Sequence, residues 1–303
     1  MEQFVRILID IGEQGLIFSI LALGLLISYR ILNTPDLTVD GSFPLGAAVS
    51  AALLTRGANP WLALGASLLA GAVAGLTTGL LNVKLRITAL LSGIIVMTML
   101  YSLNLGIAGT ANVGLFNSRN LFSEAPADWI PARLGPYRIR TMVVAAIIVL
   151  AVKLLLDLYL ATRSGLLLRA TGDNQQVTVA LGRDPGLVTI LGLTLANSLV
   201  SLAGGLLAQQ QGFFEISMGT GQMVNGLASV IIGTALFGRI RRLRLTTVAI
   251  FGSIIFKGLL TIAINLGLSA NYMRLMQGLL FLIILVSSNL SDKEARHATA
   301  SSR

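Results

Sequence analysis

The residues that could do chemistry in this sequence are few and widely spaced. Asp36 and Asp40 are four apart, so on a continuous helix both carboxylates would share a face and could hold magnesium for a diphosphate substrate. A site of that kind needs a second set of oxygen ligands, and the next candidates, Asp173 and Asp184, have no closer acidic companions. The one histidine, His297, lies in a polar C-terminal tail and there is no cysteine. A zinc-protease helix, a serine–histidine pair within the apolar body and thiolate metal sites are thereby excluded. None of the lysines (84, 153, 257 and 293) closes a Gly-rich phosphate loop, so the chain carries no visible means of hydrolysing ATP. Lys153 and Asp157 are spaced to pair on one helix face, or to snorkel at a membrane boundary, and Lys257 has no acidic neighbour in sequence.

The elements that must carry these residues are membrane helices. Of 303 residues, 54% are hydrophobic and 12% charged, with a mean hydropathy of +0.82, and apolar runs long enough for a bilayer recur along nearly the whole chain. The expected fold is all-α, a polytopic transmembrane bundle of about 8 to 9 membrane segments forming a single domain over 1–303 with a polar tail at 291–303. Segments are expected at Gly15–Leu32, Phe43–Leu54, Trp61–Val83, Ile87–Ala108, Thr141–Leu160, Leu187–Ala208, Gln222–Phe237, Thr246–Leu266 and Met273–Leu290. Phe43–Leu54 is too short to cross alone, which makes it half of a broken span or a re-entrant element. The N-terminus lacks a small-residue cleavage site and is expected to be retained.

The net charge of +9 resides mostly in short connections between apolar runs, a pattern of membrane topology and not of nucleic-acid binding. In this layout thirteen Lys and Arg fall on the side holding Arg30, Lys84, Arg163 and Arg239–Arg244, against seven on the other. The N-terminus is therefore expected outside and the C-terminus in the cytoplasm. "GRIRRLRL" reads as a cytoplasmic anchor. The outer connection at about Gly109–Arg140, with Pro126, Trp129, Pro131 and Pro136, reads as an interfacial segment.

Three stretches interrupt the apolar pattern. At the first, Pro35 and Asp36 either punctuate a turn or break a span, in which case Thr38, Asp40, Ser42 and Phe43 would face a translocation pathway. At the second, "AQQQGFFEISMGTGQMVNG", glycines at 212, 219 and 221 disfavour a continuous helix. It is either an outer loop or a second broken element presenting Phe213, Phe214, Glu215 and Asn225 to the pathway. The third, Thr162–Gly186, carries a helix-like polar stretch from Asp173 to Leu181 bracketed by Gly172 and Gly182, and reads as a contact surface. Leu69, Ala70, Leu76, Gly79, Leu80 and Leu81 coincide at one constant offset with Leu195, Ala196, Leu202, Gly205, Leu206 and Leu207, which suggests a duplicated architecture.

"DLTVDGS", Asp36–Ser42, followed by "LGAAVSAAL", resembles the Asp-Leu-Ser-Val-Gly-Ser signature and small-residue helix of the ribose and branched-chain amino-acid class of ABC transporter permeases. "RATGDNQQVTVALGRD", Arg169–Asp184, is similar to the Ala-x-Gly-x-Asn-x-x-Ala-Ala-x-x-x-Gly loop of that class. Asp40 is additional to the sugar-type signature, and Val177 and Thr178 replace the usual alanines; these departures bear on substrate more than on fold. The resemblance is closest to a branch pairing with lipoprotein or periplasmic binding proteins, some for aromatic amino acids. It implies a bacterial inner-membrane importer subunit with a second permease copy, an ATPase subunit and a solute-binding protein as partners. It implies no cofactor in this chain, ATP and magnesium being held by the ATPase. Arg169, Gly172, Asp173, Asn174, Gln175, Gln176 and Gly182 would form the coupling segment. An amino acid is the expected solute, a sugar or nucleoside the alternative, and an ATP-independent channel the rival from another class.

Overall fold

The computed structural model describes residues 2–116, 118–122, 140–238, 240, 242–267 and 272–286. Most of the outer connection, Arg239 and Arg241 of the basic run, and the C-terminal tail lie outside the described residues.

The helices follow the apolar runs, and local signals set their ends. Helix α1 (Glu2–Leu25) continues as a π-helical turn, Leu26–Ile31, and stops before Pro35, which cannot donate a helical hydrogen bond. Asn33 turns the chain with φ 54°. A short helix, α2 (Val39–Thr55), returns toward α3 (Pro60–Val83). Asn59 caps α3, accepting from the Trp61 amide at 2.9 Å, with Pro60 in the first turn. Helix α4 (Ala89–Ala108) ends at Gly109 in the left-handed conformation.

Helix α5 (Arg140–Ala161) leads into two short helices, α6 (Arg163–Asp173) and α7 (Gln175–Ala180), and then α8 (Pro185–Gln211). Asp184 caps α8 through the Gly186 amide at 2.8 Å, and Gly212, φ 76°, ends it. Helices α9 (Gln222–Phe237), α10 (Leu245–Asn265) and α11 (Met273–Val286) complete the bundle. Among the described residues, seven helices are long and apolar enough to cross a membrane. An element the apolar pattern does not announce is a two-stranded antiparallel sheet, β1 (Asn112–Gly114) with β2 (Phe213–Glu215), in register Val113 to Phe214.

Among the described elements, helices α3 and α8 make the most extensive contact, and it depends on small residues. Cβ atoms built on Gly71, Gly75 and Gly79 would run into the α8 backbone at Asn197, Leu193 and Ile190, so the two helices approach as glycine stripes allow in membranes. Their order is antiparallel, with Ser67 opposite Ser201 and Gly79 opposite Ile190. The residues that coincide at constant offset thus fall on neighbouring, oppositely directed helices.

Helix α2 is enclosed by α3, α4 and α8. A side chain at Gly46 would collide with the Ser201 carbonyl, and one at Gly204 with that of Phe43. The largest apolar core surrounds Ile17, Phe18, Leu21, Phe43, Val200 and Leu206.

Candidate functional site: two interrupted elements meeting at Asp40

The α1–α2 interruption folds back to the middle of the bundle. The Asp36 Oδ1 accepts from the Thr38 amide at 2.9 Å and its Oδ2 from Asn197 Nδ2 at 2.6 Å. Asn197, at the midpoint of α8, also accepts from Ser42 Oγ at 2.7 Å. Thr38 Oγ1 pairs with Thr78 Oγ1 of α3 at 2.8 Å. Asp36, Thr38, Ser42 and Asn197 are all buried. The interruption is therefore held by a closed polar network at the depth of the α8 midpoint, where unpaired polar groups are costly.

Asp40, in the first turn of α2, does something different. Its Oδ2 accepts from the Gly221 amide at 3.0 Å and its Oδ1 from the Met223 amide at 2.8 Å. Gly221 precedes α9 in the left-handed conformation with no side chain to cap the helix, so a carboxylate from the other interrupted element supplies the cap. Gly219 completes the junction, since a Cβ there would strike the Asp40 carbonyl and the Pro44 ring. The magnesium reading does not survive this geometry, because α2 begins at Val39 and the two carboxylates diverge, Asp36 to α8 and Asp40 to α9.

The other pathway candidates separate into two groups. Thr38, Ser42, Phe43 and Phe214 are fully enclosed. Phe43 stacks on Phe18 with centroids 6.1 Å apart, and Phe214 packs among Ala47, Ala48 and Ala51. Asp40 and Phe213 are half-buried and Glu215 is exposed, accepting from Ser217 Oγ. Asn225 is buried; its Nδ2 donates to Gln222 Oε1 at 3.1 Å, and its Oδ1 has no partner among the described residues.

The coupling candidates lie elsewhere. The expected single helix from Asp173 to Leu181 is two helices hinged at Asn174, which caps α7 through the Gln176 amide at 2.9 Å. Gly172 is inside α6 instead of bracketing a helix, because α6 passes directly under the end of α1 and a Cβ would strike the Ile31 carbonyl. Thr171 and Thr178 join α6 to α7, Oγ1 to Oγ1 at 2.9 Å. Arg169, Asp173, Asn174, Gln175, Gln176 and Gly182 are exposed, with the aliphatic side chains of Val177, Val179 and Leu181 beside them. A cavity of about 240 Å³ lies where this pair meets the bundle, lined by Asn33 and Thr34 of the interruption, Asn82, Thr171, Gln175 and Thr189.

Lys153, Asp157 and Arg244 form an ion cluster, and Lys257 makes a cation–aromatic contact. Asp157 accepts from Lys153 Nζ at 2.8 Å, as the spacing predicts, and also from Arg244 and from Thr246 Oγ1 of α10. Lys257 Nζ lies over the Phe18 ring, 3.2 Å from its centroid.

Residues 7–285 match the model of the family described as branched-chain amino acid transport system / permease component. The chain belongs to this family. A tyrosine transport system permease protein of Clostridioides difficile (strain R20291) is 40% identical over 94% of this chain and 92% of its own. The ribose import permease of Escherichia coli (strain K12) is 27% identical over 93% and 85%. A probable branched-chain amino acid transport permease of Methanocaldococcus jannaschii is 29% identical over 71% of each chain. No solved structure matches significantly. The protein is a multi-pass membrane permease of the ABC importer class.

Proposed function

We propose that two copies of this permease form a pathway for an amino acid across the bacterial inner membrane, driven by a separate ATPase and supplied by an extracytoplasmic binding protein. Amino acid is favoured over sugar because the 40% identical relative is named for tyrosine transport, while the ribose permease is 27% identical. The N-terminus lies outside and α6–α7 in the cytoplasm, following the arginine and lysine distribution. ATP and magnesium belong to the ATPase partner.

The observation that carries the coupling role is the pairing of exposure with attachment in α6–α7. The second helix, α7, leaves the aliphatic side chains of Val177, Val179 and Leu181 exposed, a surface suited to protein contact. The first, α6, is fixed under Ile31 by Gly172, immediately before the α1–α2 interruption. A push on α7 therefore reaches the segment holding Asp36 and Asp40. The pathway face is the one carrying Asp40, since a half-exposed carboxylate at this depth is tolerated against water or protein but not lipid.

Affinity purification of the chain from its native membrane tests the assignment. A nucleotide-binding subunit in near-equal amount is expected. A chain that emerges alone and supports solute flux without ATP would make it a channel.

A further inference from the structure

The N-terminus of α9 brings together a carboxylate from another element and a buried acceptor without a partner among the described residues. Its Gly221 and Met223 amides are held by Asp40, which is an arrangement for a carboxylate at a positive helix end. One turn inside, Asn225 is 3% exposed and leans back toward that end through Gln222, yet its Oδ1 has no partner among the described residues. A second buried acceptor without a partner there, Asn104 Oδ1, belongs to an amide whose Nδ2 donates to the Gly41 carbonyl beside Asp40. A buried acceptor with no donor is costly; Asn104 is bonded to the residue after Asp40, and Asn225 lies one turn into the helix that Asp40 caps.

The site is reachable. Asp40 and Gly221 are half-buried and Thr220, between Gly219 and Gly221, is exposed. Ser42, half a turn from Asp40, bonds Asn197 at the α8 midpoint, so these groups lie at membrane depth. Its donors suit one carboxylate, and its acceptors suit a group with several N–H bonds.

We propose that this end of α9 is a transit site for the ammonium and carboxylate of an α-amino acid. The solute carboxylate exchanges with Asp40 at the Gly221 and Met223 amides, and Asp40 with Asn225 Oδ1 takes the solute ammonium. No bond is made or broken and no charge is left unpaired, because Asp40 moves from the backbone amides to the incoming cation. This rests on the amino-acid reading above and goes beyond it by naming the atoms.

The test measures import by the complete transporter in liposomes and binding by the permease–ATPase assembly without binding protein. Labelled L-tyrosine is the probe, with tyramine and 3-(4-hydroxyphenyl)propionate as competitors. The wild type is expected to favour tyrosine over either competitor. Asn225→Leu should lower tyrosine affinity about tenfold, the worth of one hydrogen bond to a charged group, without changing that of the propionate. Asp40→Asn should erase the preference for tyrosine over the propionate, which no longer meets an opposing carboxylate. If both variants import normally and keep the wild-type preference, the site is wrong while the amino-acid reading stands. No tyrosine binding at millimolar concentration in an assembly that imports tyrosine overturns it equally. A wild-type transporter that imports sugars and no amino acid refutes the underlying reading instead. Should Asp40→Asn fail to assemble, Asn225→Leu decides.

Discussion

Asn197 Nδ2 donates to Asp36 Oδ2 across 2.6 Å, joining the interruption after α1 to the midpoint of α8, and the same amide accepts from Ser42 Oγ. One side chain thus fixes both ends of the turn that starts α2. Asn197→Ala would leave a buried carboxylate with its local Thr38 amide only. The expected loss is about 1.5–3 kcal/mol, a fall in melting temperature in detergent on the order of 5 °C. Asn197→Asp should be worse, since it sets two carboxylates face to face. An unchanged melting curve for both variants would mean that water replaces the network.

How much of this was legible in the sequence depends on range. Helix ends were readable where the signal is local: Asn59 with Pro60, Asp184 with Pro185, and Gly212. The break after Ile31 announced itself through Pro35 and the two acids. The partners did not. Asp36 finds Asn197, and Asp40 the start of α9, more than 160 residues away, and no periodicity encodes such distances. The helical stretch between Gly172 and Gly182 is legible but its division is not, because Asn174 suits either helix interior or cap and the constraint on Gly172 comes from the Ile31 carbonyl. Phe43 and Phe214 looked like pathway residues for their polar neighbours in sequence. Their neighbours in space are Phe18 and the alanines of α2.

The close approach of α2 to α8 has its own test. Gly46→Ala places a methyl against the Ser201 carbonyl, a backbone group that cannot rotate away as a side chain can. Overpacking of this kind costs typically about 1–3 kcal/mol, and more where two helix backbones must separate. Gly65→Ala in α3 meets nothing within 4 Å and gains helix propensity. Fluorescence-detected size-exclusion chromatography should therefore show reduced monodisperse protein for Gly46→Ala and an unchanged or higher yield for Gly65→Ala.

Asp157 predicts an asymmetry between partners. Its side chain is 5% exposed, Lys153's 18% and Arg244's 69%. Arg244→Ala should therefore cost at most about 1 kcal/mol, as exposed ion pairs do. Asp157→Ala strands Lys153 and the Thr246 hydroxyl and removes the tie from α5 to the start of α10. A loss of about 3 kcal/mol is expected, readable as a melting shift several times that of Arg244→Ala. Equal shifts would count against the cluster as a joint between these helices.

The coupling assignment is tested by a pair of substitutions that leaves the bundle alone. Asp173 and Asn174 are exposed, and the hydrogen bonds Asn174 makes are local to α6–α7; removing the Asn174 cap costs α7 about 1 kcal/mol. In the double variant Asp173→Ala, Asn174→Ala, melting temperature should stay near wild type, while import falls and ATP hydrolysis by the assembled transporter persists. Asn174→Ser separates the two contributions, because serine restores the cap without the amide. Recovery of import by serine would assign the effect to α7 geometry, and continued loss to contact between the amide and the ATPase. Unimpaired import in a well-expressed double variant would remove these two residues from the coupling surface and leave the exposed aliphatic side chains Val177, Val179 and Leu181 as the part that must bear the load.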